Sequence, residues 1–182
     1  MITTAAKTKN EKTQKEEKLN TLNDLFIHEA RELYDAEKHM MKELHGLKTA
    51  STSKELIDAL EDHIDITEIQ VKRIEEIFNQ LNIKHKELPN EAIAGLIEDG
   101  EALLTTITNP MVRDSAIIAI VQKIKHYEIA CYGCLRTFAM VLGLDEPSDL
   151  LQATLDEEIH TDKKLTEIAE AYINEEAYGV NN

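Results

Sequence analysis

Acidic and imidazole side chains fall in the middle of otherwise apolar helical stripes at Glu37, His63 and Glu128, and at the pair Glu158 and Asp162. Burying one ionised carboxylate without a partner costs several kcal/mol. Acids brought to one level from separate helices therefore require a cation or shared protons among them. Glu158 and Asp162 stand at i, i+4, so both could reach one point on their helix face. Hard carboxylates with one imidazole suit a non-haem iron or manganese centre, with zinc also accepted, whether of one ion or of two. The chemistry of such a set is metal binding and, with iron, transfer of electrons to dioxygen or peroxide. Tyr34 or Tyr132 is a candidate redox or hydrogen-bonding neighbour.

The elements that must position these residues are long helices. Leu22, Leu25, Phe26, Leu33, Ala36, Met40, Leu44 and Leu47 recur at about 100° per residue, which predicts a helix from about Thr21 to Leu47. Thr21 followed by Asp24 fits a variant of the N-terminal capping pair. After a polar loop from Lys48 to Ser53, a second stripe of Leu56, Leu60, Thr67, Val71, Ile74, Phe78 and Leu81 predicts a helix from about Ser53 to Leu81. Helices this long joined by so short a loop must lie antiparallel. The stretch Asn82 to Asn109 carries a shorter helix, about Asn90 to Thr108, and is long enough to run the length of a bundle. Pro110 opens a third long helix that ends near Leu142 with Gly143 as its cap, and a fourth runs from about Ser148 to Tyr178. The predicted fold is all-α, a ferritin-like four-helix bundle of two antiparallel pairs joined by a long crossover carrying a shorter fifth helix. It should occupy residues 19–178, after a flexible charged tail at 1–18 that is too poor in apolar residues to stay ordered.

Helical projection places Glu37 about 60° from Leu22 on the first stripe, with Glu29 also inward, His63 beside Thr67 on the second, and Glu128 almost at the centre of the third. Counting from the turns at ~1.5 Å per residue sets Glu37 level with His63, and Glu128 level with Glu158 and Asp162. Glu157 and His160 have the i, i+3 spacing of di-iron motifs but fall away from the stripe, as does His126, so these are expected to face solvent.

Composition excludes other classes. The formal charge of −15 repels phosphate backbones and anionic lipid, so neither nucleic acid nor membrane is an expected partner. An aromatic content of 4% without tryptophan offers no stacking platform for bases. No stretch reaches the ~20 apolar residues of a membrane span, and the N-terminus lacks the apolar run of a secretory signal, which predicts a cytoplasmic protein. Cys131 and Cys134 lie deep in a helical pattern, away from the helix N-terminus that would activate a C-x-x-C pair, and are expected to be small core residues in a reducing compartment.

Several short stretches, in order and spacing, resemble the YciE/YciF family of ferritin-like proteins, a group of bacterial stress-associated proteins regarded as ferroxidases. They are Leu33 to Lys38, His63 with Thr67, Gln70, Val71 and Arg73, Val112 to Asp114, His126 to Ala130 with Tyr132 and Gly133, and Glu157 and Glu158 with Thr161, Asp162 and Leu165. The resemblance implies a homodimeric bundle with a carboxylate-rich metal centre at Glu37, His63, Glu128, Glu158 and Asp162, and ferroxidase chemistry there. Two positions depart from the family pattern. Ile66 precedes Thr67 where the family usually has Glu, and Lys125 precedes His126 where it again usually has Glu. An ammonium at 125 would stand beside Glu128 and supply internally the charge a metal would otherwise bring. The alternative expectation is thus a metal-free dimeric scaffold of the stress response.

Overall fold

The computed structural model describes residues 18–179, so the expected tail at 1–18 lies almost wholly outside the described residues. The chain forms α1 (Leu22–Ala50), α2 (Lys54–Gln80), α3 (Glu91–Thr105), α4 (Pro110–Val141) and α5 (Asp145–Ile168), and α5 continues through a π turn (Ala169–Ile173) into α6 (Asn174–Gly179). The helix ends are written in the sequence. Thr21 and Asp24 cap each other in a reciprocal box at the start of α1, and Ser53, Asn90 and Asn109 cap α2, α3 and α4. Gly143 closes α4 at φ 71°, where its N–H reaches the Met140 carbonyl and the Leu144 N–H reaches that of Ala139. That pairing is the Schellman arrangement, which favours glycine because it needs a positive φ.

Cross-helix contacts give the topology. Tyr34 meets Glu75 and Lys48 meets Glu61, so α1 and α2 run antiparallel. Gln70 meets Glu158 while Lys164 meets Asp62, Lys125 meets Glu158 while Gln122 meets Thr166, and Glu37 meets Tyr132 while Thr52 meets Asp114. Every neighbouring pair around the four-helix square is thus antiparallel, with α1 diagonal to α5 and α2 diagonal to α4. This is the ferritin-like arrangement expected above. The crossover carries α3 along α4 and α1. It is pinned where Asn90 donates to the Asp35 carboxylate and to the Tyr127 hydroxyl. A single apolar core holds Phe26, Leu33, Met40, Leu44, Leu56, Leu60, Phe78, Ile117, Val121, Ile124, Leu135, Leu151 and Leu165.

The cysteine expectation needs correction: Cys131 is half-buried and Cys134 is exposed on the outer face of α4. The α4 stripe rotates away from that face, so the turn carrying Gly133 and Cys134 looks outward while Tyr132 and Leu135 look in.

Candidate functional site

Midway along the bundle the core turns polar. Glu37 from α1, Thr67 and Gln70 from α2, Lys125 and Glu128 from α4 and Glu158 from α5 are all buried, as is His63 one step further along α2. Lys125 is completely enclosed and stands at the centre. Its ammonium lies 2.5 Å from Glu128 Oε2 and donates to Glu158 Oε2. Glu158 also accepts from Gln70 Nε2 at 2.7 Å, and Tyr132 donates its hydroxyl to Glu37 Oε1 at 2.6 Å. Just outside, Arg73 grips Glu157 through two bonds of 2.6 and 2.7 Å and reaches Thr154, closing the α2–α5 seam over the cluster.

Burial dominates the electrostatics. It pushes the Glu37 carboxyl up to about 7, assisted by the neighbouring Glu158 and opposed by Lys125 and the Tyr132 hydroxyl. Burial likewise raises Glu128 well above the usual carboxylate range, against the pull of Lys125. Burial alone would strip the Lys125 proton, but Glu128, Glu158 and Glu37 together outweigh it and hold the ammonium charged. His63 is forced the other way, its imidazole kept neutral by burial and then by Lys125.

The five residues expected to share a cation are arranged differently from that expectation. Glu37, Glu128 and Glu158 face the same polar interior, with the ammonium among them. Glu37 and His63 are not level. With Tyr34 opposite Glu75 and Lys48 opposite Glu61, His63 lies roughly nine residues beyond the height of Glu37, about 13 Å along the axis. Side chains tilt toward their own helix N-terminus, so in this antiparallel pair the two lean further apart. Asp162 stands outside the cluster, accepting from Gln122 at 3.3 Å and facing His126 at 3.5 Å. His126 and His160 are exposed as expected, Glu29 is half-buried, and Glu157 is partly sheltered by Arg73. Among the described residues, no three His, Cys, Asp or Glu side chains come together closely enough to hold a metal ion. The implied di-iron or mononuclear centre therefore does not fit the residues as they stand. Carboxylates that would ligate it are directed at an ammonium, and position 66 offers an isoleucine.

Gln70, Arg73 and Thr154 complete the site without having been singled out by acid and imidazole spacing. Gln70 and Arg73 are legible only through the family-like stretch that follows His63; Thr154 has no comparable signal.

Comparison with known proteins accords with this architecture. Residues 21–178 match the family described as a domain of unknown function, DUF892. The chain belongs to that family. It is 38% identical over 160 residues to Protein YciF of Escherichia coli strain K12, covering 87% of this chain and 96% of that one. The crystal structure of the E. coli stress protein YciF superposes with a TM-score of 0.82 over 86% of this chain and 99% of its own. YcfI from Rhodopseudomonas palustris, described as a proposed structural protein, matches with a TM-score of 0.79 at 34% identity, over 81% and 94% of the two chains. Membership of DUF892 agrees with the YciE/YciF resemblance of the motifs. No helix among the described residues is long and apolar enough to cross a membrane.

Proposed function

We propose that this DUF892 protein is a non-catalytic helical scaffold of the bacterial stress response, homodimeric, whose interior charge is balanced by Lys125 rather than by a metal ion. One observation carries the reading: a fully buried ammonium lies against both Glu128 and Glu158. A cation already at the focus of the carboxylates leaves no electrostatic reason to recruit another. The stress designation of the E. coli relative and the structural role proposed for the R. palustris one support the same reading. The work of such a scaffold is done through protein contacts on its helical faces.

An iron centre of ferroxidase type is the competing reading. It is favoured by buried polar atoms without a hydrogen-bond partner, among them both nitrogens of His63 and Glu37 Oε2. Metal analysis of protein purified with iron available, paired with Fe(II) oxidation kinetics, separates the two. The scaffold reading expects substoichiometric metal and an oxidation rate no higher than that of Glu37→Ala. Stoichiometric iron with turnover above that variant would overturn it. Sedimentation velocity tests the dimer, and a monomer at micromolar concentration would remove that part of the proposal.

A further inference from the structure

We infer that Cys131 and Cys134 form a two-thiol clasp on the outer face of α4 for one soft monovalent cation of the Cu(I) type. The clasp opens on solvent rather than on the polar interior, so it goes beyond the scaffold reading and stands whether or not that interior holds iron. These two cysteines are the only ones in the chain, and they sit at i and i+3 within the unbroken helix α4. Cys134 is exposed, Cys131 is half-buried, and neither is in a disulfide. A Cβ at Gly133 would meet nothing within 4 Å, so no neighbouring element roofs the turn. Helix geometry selects an ion over a disulfide. Side chains three residues apart on a helix have Cβ atoms about 5–6 Å apart, whereas a disulfide needs them within roughly 3.5–4.5 Å. An ion bonded at ~2.3 Å to each sulfur allows the sulfurs to stand up to about 4.6 Å apart, which closes the gap with the helix left intact.

The surroundings favour a cation on these sulfurs. Burial pushes the Cys131 thiol up to about 11, against a hydrogen bond from Tyr127 and with Glu29, Glu128 and Cys134 adding to the push. The influence of Cys134 marks the two thiols as close neighbours, and the negative charges that hold a proton on Cys131 attract a metal cation in its place. Asn90 donates to the Tyr127 hydroxyl at 2.6 Å, which leaves the hydroxyl proton free to support a Cys131 thiolate. Binding then releases both thiol protons to solvent as two sulfur–metal bonds form. The donor count chooses the ion. A closed zinc site takes four ligands, and among the described residues no three His, Cys, Asp or Glu side chains come together. Cu(I) is soft, prefers thiolate, and is satisfied by two such ligands in line.

The experiment offers Cu(I), supplied anaerobically as its bicinchoninate complex, to the full chain and to Cys134→Ser and Cys131→Ser. It reads the loss of chelator colour, the copper per chain after gel filtration, and the copper-edge X-ray absorption. Wild type is expected to strip about one Cu(I) per chain from the chelator and to show two sulfur neighbours around it. Both serine variants are expected to leave the copper with the chelator while keeping the helical circular-dichroism signal. Should Cys131→Ser lose helicity, Cys134→Ser, altered at an exposed position, decides alone. A wild type that takes up no copper overturns the inference. So does a folded serine variant that takes up as much as wild type, since the copper then sits on other side chains, and so do nitrogen or oxygen neighbours in the copper shell. Iron found in the interior would defeat the scaffold reading and leave this one standing.

Discussion

Lys125 and the three acids around it concentrate the energetics of the fold in one spot. Removing the ammonium leaves Glu128 and Glu158 buried without a counter-ion, Glu158 keeping only its bond from Gln70, and Lys125→Met should lose about 3–5 kcal/mol of stability in urea unfolding. Glu37 gives a pH signature of opposite character to an ordinary salt-bridged acid. Burial raises it to about 7 from an ordinary value of 4.5, so the native state holds a proton that the unfolded chain has released. Stability contributed by this group is full below pH 4.5 and declines as pH climbs to 7. Glu37→Gln keeps an acceptor for Tyr132 and cannot ionise. Relative to wild type it should gain on the order of 3 kcal/mol between those limits, read as the difference of two urea pH profiles. A flat difference would show that Glu37 does not titrate in this window. The sequence carried much of this site. Glu37, Glu128 and Glu158 are buried as their stripes require, and Lys125 was visible one turn before Glu128. What it lacked was distance between helices. A count of residues from a turn assumes that two helices start level, and the α1–α2 pairing begins several residues off that assumption, which is why His63 misses Glu37. Asp162 fails for a different reason: one turn beyond Glu158, the α5 stripe has already rotated toward Gln122.

At the scale of elements, polar residues at the turns do much of the ordering. Asp114, on the first turns of α4, accepts from the backbone N–H groups of Thr52 and Ser53 and from the Thr52 hydroxyl, so it satisfies the loop that starts α2. Asp114→Ala would deprive the partly buried Thr52 and Ser53 donors of their charged acceptor and should cost about 1–3 kcal/mol, with amide exchange near Thr52 and Ser53 accelerating first. The crossover helix depends on close approach. A Cβ at Gly100 would stand 2.8 Å from Ile120 Cγ2, so Gly100→Ala should push α3 off α4 and cost roughly 1–3 kcal/mol by thermal unfolding. Helix limits were legible to within a few residues because caps are local chemistry: Thr21 with Asp24, Asn109 before Pro110, and Gly143. The start of α5 at Asp145, ahead of the expected Ser148, has no polar marker because Leu144 caps without a side-chain bond, and the π turn at Ala169–Ile173 has none either.

For the molecule as a whole, the alternating stripes and one long connection sufficed to fix the topology, since two short turns and a bundle-length crossover admit few other packings. The charge of −15 is spread over a chain of 182 residues, and its self-repulsion opposes compaction. Adding sodium chloride at neutral pH should raise the thermal midpoint, steeply at first and then levelling as the Debye length falls below the spacing of surface acids. A midpoint indifferent to salt would mean that bound counter-ions already neutralise the surface.

The Asp114 contact also sets a timetable for synthesis. Thr52 waits for a partner 62 residues downstream, so at the usual ~5–20 residues per second the leading hairpin emerges several seconds before its far end can be closed. During that interval the entry to its second rod is bare, and a ribosome stalled ahead of that aspartate would hold a nascent hairpin open to whatever chaperone meets it first.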